Sequence, residues 1–182
     1  MSEQSAVVLE AGAGARIGTG GMHVVAKATS DDGVFASSFE LVVPPGFDIG
    51  AHRIADAVIT LYVRSGTLDV FAFQPVDTSD PDWRRWRSAD DRRFLRGGPG
   101  TFVSVPPATP YAFANPGDGD TTLLFQSTLP VGHEKYFQDL ADLMVAAGGK
   151  PAPATTAELR RRYGISQLSP LDPGRPAGPG AA

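Results

Sequence analysis

At 182 residues, with a formal net charge of -4 and 42% hydrophobic residues, the chain suits one globular domain and leaves no room for a second full one. It holds no cysteine, which excludes disulfides, thiolate metal sites and cysteine nucleophiles and leaves His, Asp, Glu, Tyr, Ser and Thr to carry chemistry. The acidic balance argues against a general nucleic-acid binder, no apolar run approaches the roughly 20 residues needed to cross a bilayer, and a start without the basic and apolar regions of a signal peptide points to a cytoplasmic protein.

Residues 1–20 form an N-terminal segment. In it Val7, Val8 and Leu9 precede Gly12, Gly14 and Gly18, but the spacing is wrong for a dinucleotide loop and no βαβ unit follows. From about residue 21 to 130, short β-branched and aromatic runs alternate with Gly, Pro and Asp clusters, the pattern of an all-β sandwich or barrel. Strands are expected over residues 34–43, 57–63, 67–74, 101–105, 111–114 and 121–127. Between them stand Pro44-Pro45-Gly46, Ser65-Gly66, Gly97-Gly98-Pro99-Gly100, Pro106-Pro107 and Asn115-Pro116-Gly117. The stretch from Trp83 to Arg96 is basic and aromatic, yet Asp77, Asp80, Asp82, Asp90 and Asp91 surround it, so a solvated, salt-bridged loop is expected in preference to an anion-binding lid.

Beyond Pro130 the period changes. Tyr136, Phe137, Leu140, Leu143 and Met144 fall at helical spacing, and Gly148-Gly149 ends the run. A second helix is expected from Thr155, where Thr155 and Glu158 would form a capping box before Leu159 and Tyr163, with Gly164 as its stop. Residues 131–168 thus form a helical extension. Residues 169–182, mostly Pro, Gly and Ala, are expected to be disordered.

Two motifs in the β region resemble the cupin superfamily. The first cupin motif runs Gly, five residues, His-x-His, three or four residues, Glu, six residues, Gly. Gly46, His52 and Gly66 stand in register with it, while Ile54 and Ile59 occupy the second His and the Glu positions. The second runs Gly, five residues, Pro-x-Gly, two residues, His, three residues, Asn. Gly100, Pro106 and Asn115 match, with Ala108 at the inner Gly and Tyr111 at the His. The segment after Pro130 is similar to the two C-terminal helices of quercetin-dioxygenase-like bacterial cupins, so the resemblance covers roughly residues 20–168.

The resemblance implies an all-β cupin (double-stranded β-helix, jelly-roll) barrel with two C-terminal α-helices. It also implies a homodimer in which the N-terminal strand can exchange between subunits. It places His52, Ile54, Ile59 and Tyr111 around one interior spot. Ile54 and Ile59 lie an odd number of residues apart, so a turn near Ala55-Asp56 is needed for both to face inward. Alternation then brings Leu61 and Phe113 inward as well and turns Tyr62 to the outer face.

A catalytic first-row metal in an oxygen/nitrogen site needs about three protein ligands. The matched positions offer one good ligand, His52, because isoleucine donates nothing and tyrosine ligates only as phenolate. His23 and His133 lie outside the matched positions. The expectation is therefore no cofactor, with His52 as base, Tyr111 as acid or carbonyl anchor, and Glu40 as a further candidate should it face inward beside His52. Ile54, Ile59, Leu61, Phe113 and Gln126 are the candidate residues lining the bound molecule.

Three functions follow. The leading expectation is a metal-independent enzyme acting on an apolar, carbonyl-bearing small molecule by isomerisation, cyclisation or dehydration. The alternatives are a quercetinase-like dioxygenase holding one divalent transition metal through His52, Tyr111 and an unforeseen carboxylate, and a non-catalytic small-molecule-binding protein.

Overall fold

Apolar and polar residues alternate along Ala36–Val43, so that Phe39, Leu41 and Val43 point into the core while Ser38, Glu40 and Val42 point away. A computed structural model describes residues 6–18, 21–128 and 132–173 of the chain. In it this strand, β3, lies within a six-stranded antiparallel sheet ordered β1 (Ala15–Gly18), β2 (His23–Ala28), β3, β10 (Thr121–Thr128), β5 (Ile59–Ser65) and β8 (Phe102–Val105). The second sheet has five strands, ordered β11 (Ile165–Gln167), β4 (His52–Ile54), β9 (Tyr111–Ala114), β6 (Leu68–Ala72) and β7 (Leu95–Gly97). The inner faces of the two sheets meet in one apolar core that includes Phe39, Leu41, Ile54, Ile59, Leu61, Phe113 and Phe125.

The chain passes from one sheet to the other through the bend at residues 55–56. This is how Ile54, at the end of β4, and Ile59, at the start of β5, both become buried despite their odd spacing. The β5–β6 turn needs Gly66, with φ of 81°, because a Cβ there would sit 2.5 Å from Thr121 Oγ1 and 2.7 Å from the Asp120 carbonyl oxygen. Ala108, at the inner Gly position of the second motif, has φ of 59°, the left-handed conformation that explains why glycine suits that place.

The segment between β6 and β7 differs from the expectation of a solvated loop. Its ion pairs are present, with Arg87 on Asp91 at 2.9 Å and Arg92 on Asp90 at 2.8 Å. Yet Trp83 and Trp86 are buried, stacked against Phe71 at 5.4 and 5.6 Å between ring centroids. Asp69, fully buried on β6, accepts from Arg96 at 2.7 Å and from Arg84 at 3.2 Å. Asp48 accepts from Arg84 at 2.9 Å and from the Trp83 indole at 3.0 Å. The insertion therefore covers the outer face of the five-stranded sheet, where Asp69, Phe71, Ala112 and Ala114 share one side by register. This is why β6 and β9 are buried on both faces.

Helix α1 (His133–Ala146) buries His133, Tyr136, Phe137, Leu140 and Met144. Glu134 fixes its first turn by accepting from the Ser30 hydroxyl at 2.6 Å and the Ser37 hydroxyl at 3.2 Å. Helix α2 (Pro153–Arg162) starts two residues before the predicted point, with Pro153 in the first turn and Ala152 as N-cap. The expected capping box does not form. Glu158 instead accepts from Arg161 at 2.9 Å. Past Gly164, whose φ is 68°, the chain adds β11 to the edge of β4, and it stays bonded through Asp172, which exchanges two 2.8 Å backbone hydrogen bonds with Asp48. The start of the expected disordered tail is thus ordered, because it completes the five-stranded sheet edge; residues 174–182 lie outside the described residues. At the other end, β1 pairs with β2 of its own chain. Among the described residues, no helix is long and apolar enough to cross a membrane.

Candidate functional site

The five-stranded sheet brings three polar side chains into one row. Gln167 on β11 pairs with His52 on β4, and His52 pairs with Tyr111 on β9. Residues directly opposite in an antiparallel ladder share a face, and here that face is the barrel interior. The His52 and Tyr111 rings lie 4.3 Å apart between centroids, inclined at 54°, and both residues are buried. Ile54 sits two residues along β4 on the same face. Ile59, Leu61 and Phe113 complete the apolar surroundings, each buried as expected.

Two of the candidates fall elsewhere. Glu40 points to the outer face of β3, where it pairs with Arg64 at 2.5 Å and Lys27 at 3.8 Å in a groove of about 550 Å³ walled by Leu9, Glu10 and Ala11. Gln126 is on the outer face too, donating to the Ser38 hydroxyl at 3.0 Å. Strict alternation in β3 and β10 forces both outward, because Phe39, Leu41, Phe125 and Leu123 occupy the core side. Neither meets His52. Asn115, the last residue of the second motif, is structural: its amide donates to the carbonyls of Val43 and Gly119 at 2.8 Å each and accepts from the Gly117 N–H at 2.9 Å.

The helices add what the two motifs do not contain. Arg160 of α2 is completely buried. Its Nη2 donates to the Ile49 carbonyl at 2.7 Å and its Nε to the Tyr136 hydroxyl at 3.2 Å. Among the described residues its Nη1 has no hydrogen-bond partner, and neither do His133 Nδ1 or Gln167 Oε1, all three being buried atoms. The signal for Arg160 was present in the sequence, since it falls at i+4 from Thr156 and beside Leu159 on the one apolar stripe of α2, a place where a charge is unexpected. His133 likewise opens the apolar stripe of α1.

Electrostatics follow from this enclosure. Burial, and next the nearby Arg160 charge, lower the His52 pKa from 6.5 to about 3. Its Nδ1 lies 2.8 Å from the Gly50 carbonyl oxygen, so the neutral ring carries its proton on Nδ1 and keeps a lone pair on Nε2, which no described residue engages. Burial raises the Tyr111 pKa well above the ordinary phenol value, which keeps its O–H protonated. Among the described residues its hydroxyl has no hydrogen-bond partner. His52 and Tyr111 therefore do not satisfy one another. Burial also lowers the His133 pKa to about 4.

The residues present do not fit a divalent metal. Ile54 and Ile59 offer no donor atom, His52 is the one good ligand at the matched positions, and the Arg160 charge that disfavours protonation of His52 disfavours a cation beside it as well. Among the described residues no group of three or more His, Asp or Glu could hold a metal ion. The carboxylate that a dioxygenase reading would require is not supplied by Glu40, which faces away.

No family model and no curated protein matches the sequence. Solved structures do match. The chain is similar to ectoine synthase from P. lautus, with 10% identity over 68% of this chain and 75% of that one and a TM-score of 0.50. It is similar to a predicted oxalate decarboxylase from Thermotoga maritima, with 14% identity over 64% of this chain and 91% of that one and a TM-score of 0.48. A third likeness is the Schizosaccharomyces pombe Cnp3 cupin domain, with 10% identity over 63% of this chain and 69% of that one and a TM-score of 0.45. At 10% identity the likeness to ectoine synthase is one of fold alone, and the two antiparallel sheets followed by two C-terminal helices give this chain the cupin jelly-roll fold.

Proposed function

We propose that the chain is a metal-independent enzyme that takes an apolar, carbonyl-bearing small molecule into the barrel and performs acid–base chemistry on it, as isomerase, cyclase or dehydratase. The observation that carries this reading is the buried His52–Tyr111 pair, whose rings lie 4.3 Å apart between centroids on neighbouring strands among buried apolar side chains. Nε2 of His52 takes a proton from the carbon beside the substrate carbonyl. The Tyr111 O–H donates a hydrogen bond to the oxygen that gains charge as the enolate forms. Return of the proton from the imidazolium to a different carbon completes an isomerisation with no net change in composition. Alternatively the enolate collapses to a C=C bond as the imidazolium protonates the hydroxyl on the neighbouring carbon, which leaves as water and completes a dehydration with His52 neutral again.

The test is turnover of a panel of apolar ketones and keto acids by chelator-treated protein, followed by mass spectrometry for unchanged mass or loss of water. His52→Gln and Tyr111→Phe are each expected to lower kcat by about 100-fold or more. Turnover that persists in both variants contradicts the mechanism. A second reading, a non-catalytic binding protein, is favoured by the weak basicity that burial imposes on His52. A ligand recovered unchanged from wild-type protein would support it.

A further inference from the structure

Arg160 has a structural anomaly that the acid–base pair does not explain. A guanidinium stays protonated throughout the range in which proteins fold, and burying one without a counter-ion is strongly unfavourable. Arg160 is completely buried, and among the described residues no carboxylate forms an ion pair with it and one of its arms, Nη1, has no hydrogen-bond partner. Around it stand further unspent polar groups. The Tyr136 hydroxyl accepts from Nε and still has its own hydrogen to donate. His133, whose ring lies 6.1 Å from that of Tyr136, has Nδ1 free. Both come from α1, whereas Arg160 comes from α2, so two helices converge on one cationic spot beside the interior face that carries His52 and Tyr111.

We propose that Arg160 is the receptor for a carboxylate on the ligand, with the Tyr136 hydroxyl as a second donor, so that the molecule bound in this barrel is a carboxylic acid as well as a carbonyl compound. This rests on the functional reading above and narrows its substrate class. The single free guanidinium arm and the lack of any lysine in the cluster suit a small monoanion in preference to a phosphate. The placement also has a chemical consequence. A carboxylate on Arg160 offsets the positive charge that disfavours protonation of His52, so substrate binding makes the base stronger at the moment it is needed.

The experiment is thermal unfolding of the full chain at constant ionic strength with formate, acetate, butyrate and benzoate, against formamide, acetamide, butyramide and benzamide as neutral isosteres and inorganic phosphate as the competing anion. A saturable rise of the midpoint by a few degrees is expected with one or more carboxylates and none with their amides. Arg160→Met is expected to abolish the rise, and His52→Gln to keep it. Tyr136→Phe, which leaves the guanidinium in place, is expected to weaken the apparent affinity about tenfold and serves should Arg160→Met fail to fold. No response of wild-type protein to any carboxylate, an equal response in Arg160→Met, an unchanged affinity in Tyr136→Phe, or a larger response to phosphate would each overturn the assignment. Failure here leaves the His52–Tyr111 mechanism standing if a neutral ketone is turned over. Conversely, carboxylate binding combined with unaltered turnover in His52→Gln and Tyr111→Phe removes the mechanism and leaves the receptor.

Discussion

At neutral pH the imidazoles of His52 and His133 are uncharged inside the fold, held so chiefly by burial. Both have folded pKa values below the ordinary 6.5, at about 3 and about 4, so as pH falls the unfolded chain takes up their protons first. Their contribution is therefore complete above about pH 6.5 and is lost as pH drops towards these lower values, with a slope of about 1.4 kcal/mol per pH unit for each histidine. Urea unfolding from pH 7.5 to 4 should show a flat region followed by a steep decline, and His133→Gln should remove about half of the slope above pH 4. Stability that does not change across this window would refute the buried, neutral assignment. His52 and Tyr111 were legible in the sequence through the resemblance, because Gly46, Gly66, Pro106 and Asn115 stand in register with the two cupin motifs. Arg160 was legible only as a charge on the apolar stripe of α2, because nothing in α2 alone tells whether such an arginine is enclosed or reaches past the stripe to solvent.

Among elements, the insertion between β6 and β7 departs most from its sequence pattern. Its charges balance, and a balanced run of Arg and Asp reads as a solvated loop, yet Trp83 and Trp86 close over Phe71 and the Arg84–Asp69–Arg96 cluster ties the loop to the sheet. The contribution of this cluster comes from Asp69, which is wholly enclosed. Asp69→Asn should destabilise the protein by about 2 to 4 kcal/mol, whereas Asp90→Asn, on an exposed pair, should change stability by less than about 0.5 kcal/mol. Equal effects in equilibrium unfolding would show that the insertion is held by its tryptophans alone. β3, β5, β6, β8, β9, β10 and both helices were foreseeable from the sequence pattern, whereas β1 and β2 were not among the expected strands, and β4, β7 and β11, three residues each, are too short to carry a period and exist because longer neighbours offer them an edge to pair with.

For the molecule as a whole, a cupin-fold barrel pairs His52 with Tyr111 on neighbouring strands, and the four positions that match the cupin ligand sites hold one imidazole, one protonated phenol and two isoleucines, all buried, with the buried Arg160 guanidinium near the pair. Such an interior favours an anion and disfavours a cation. The same geometry carries the proposed acid–base pair and the proposed carboxylate receptor, and the metal separates both metal-free readings of function from the dioxygenase reading. The direct measurement is elemental mass spectrometry on untagged protein purified without chelator, together with the same measurement on His52→Ala. The account predicts iron, copper, nickel, manganese and zinc each well below one per chain, with no difference between the two proteins; a near-stoichiometric metal in the wild type that is lost from His52→Ala would contradict it.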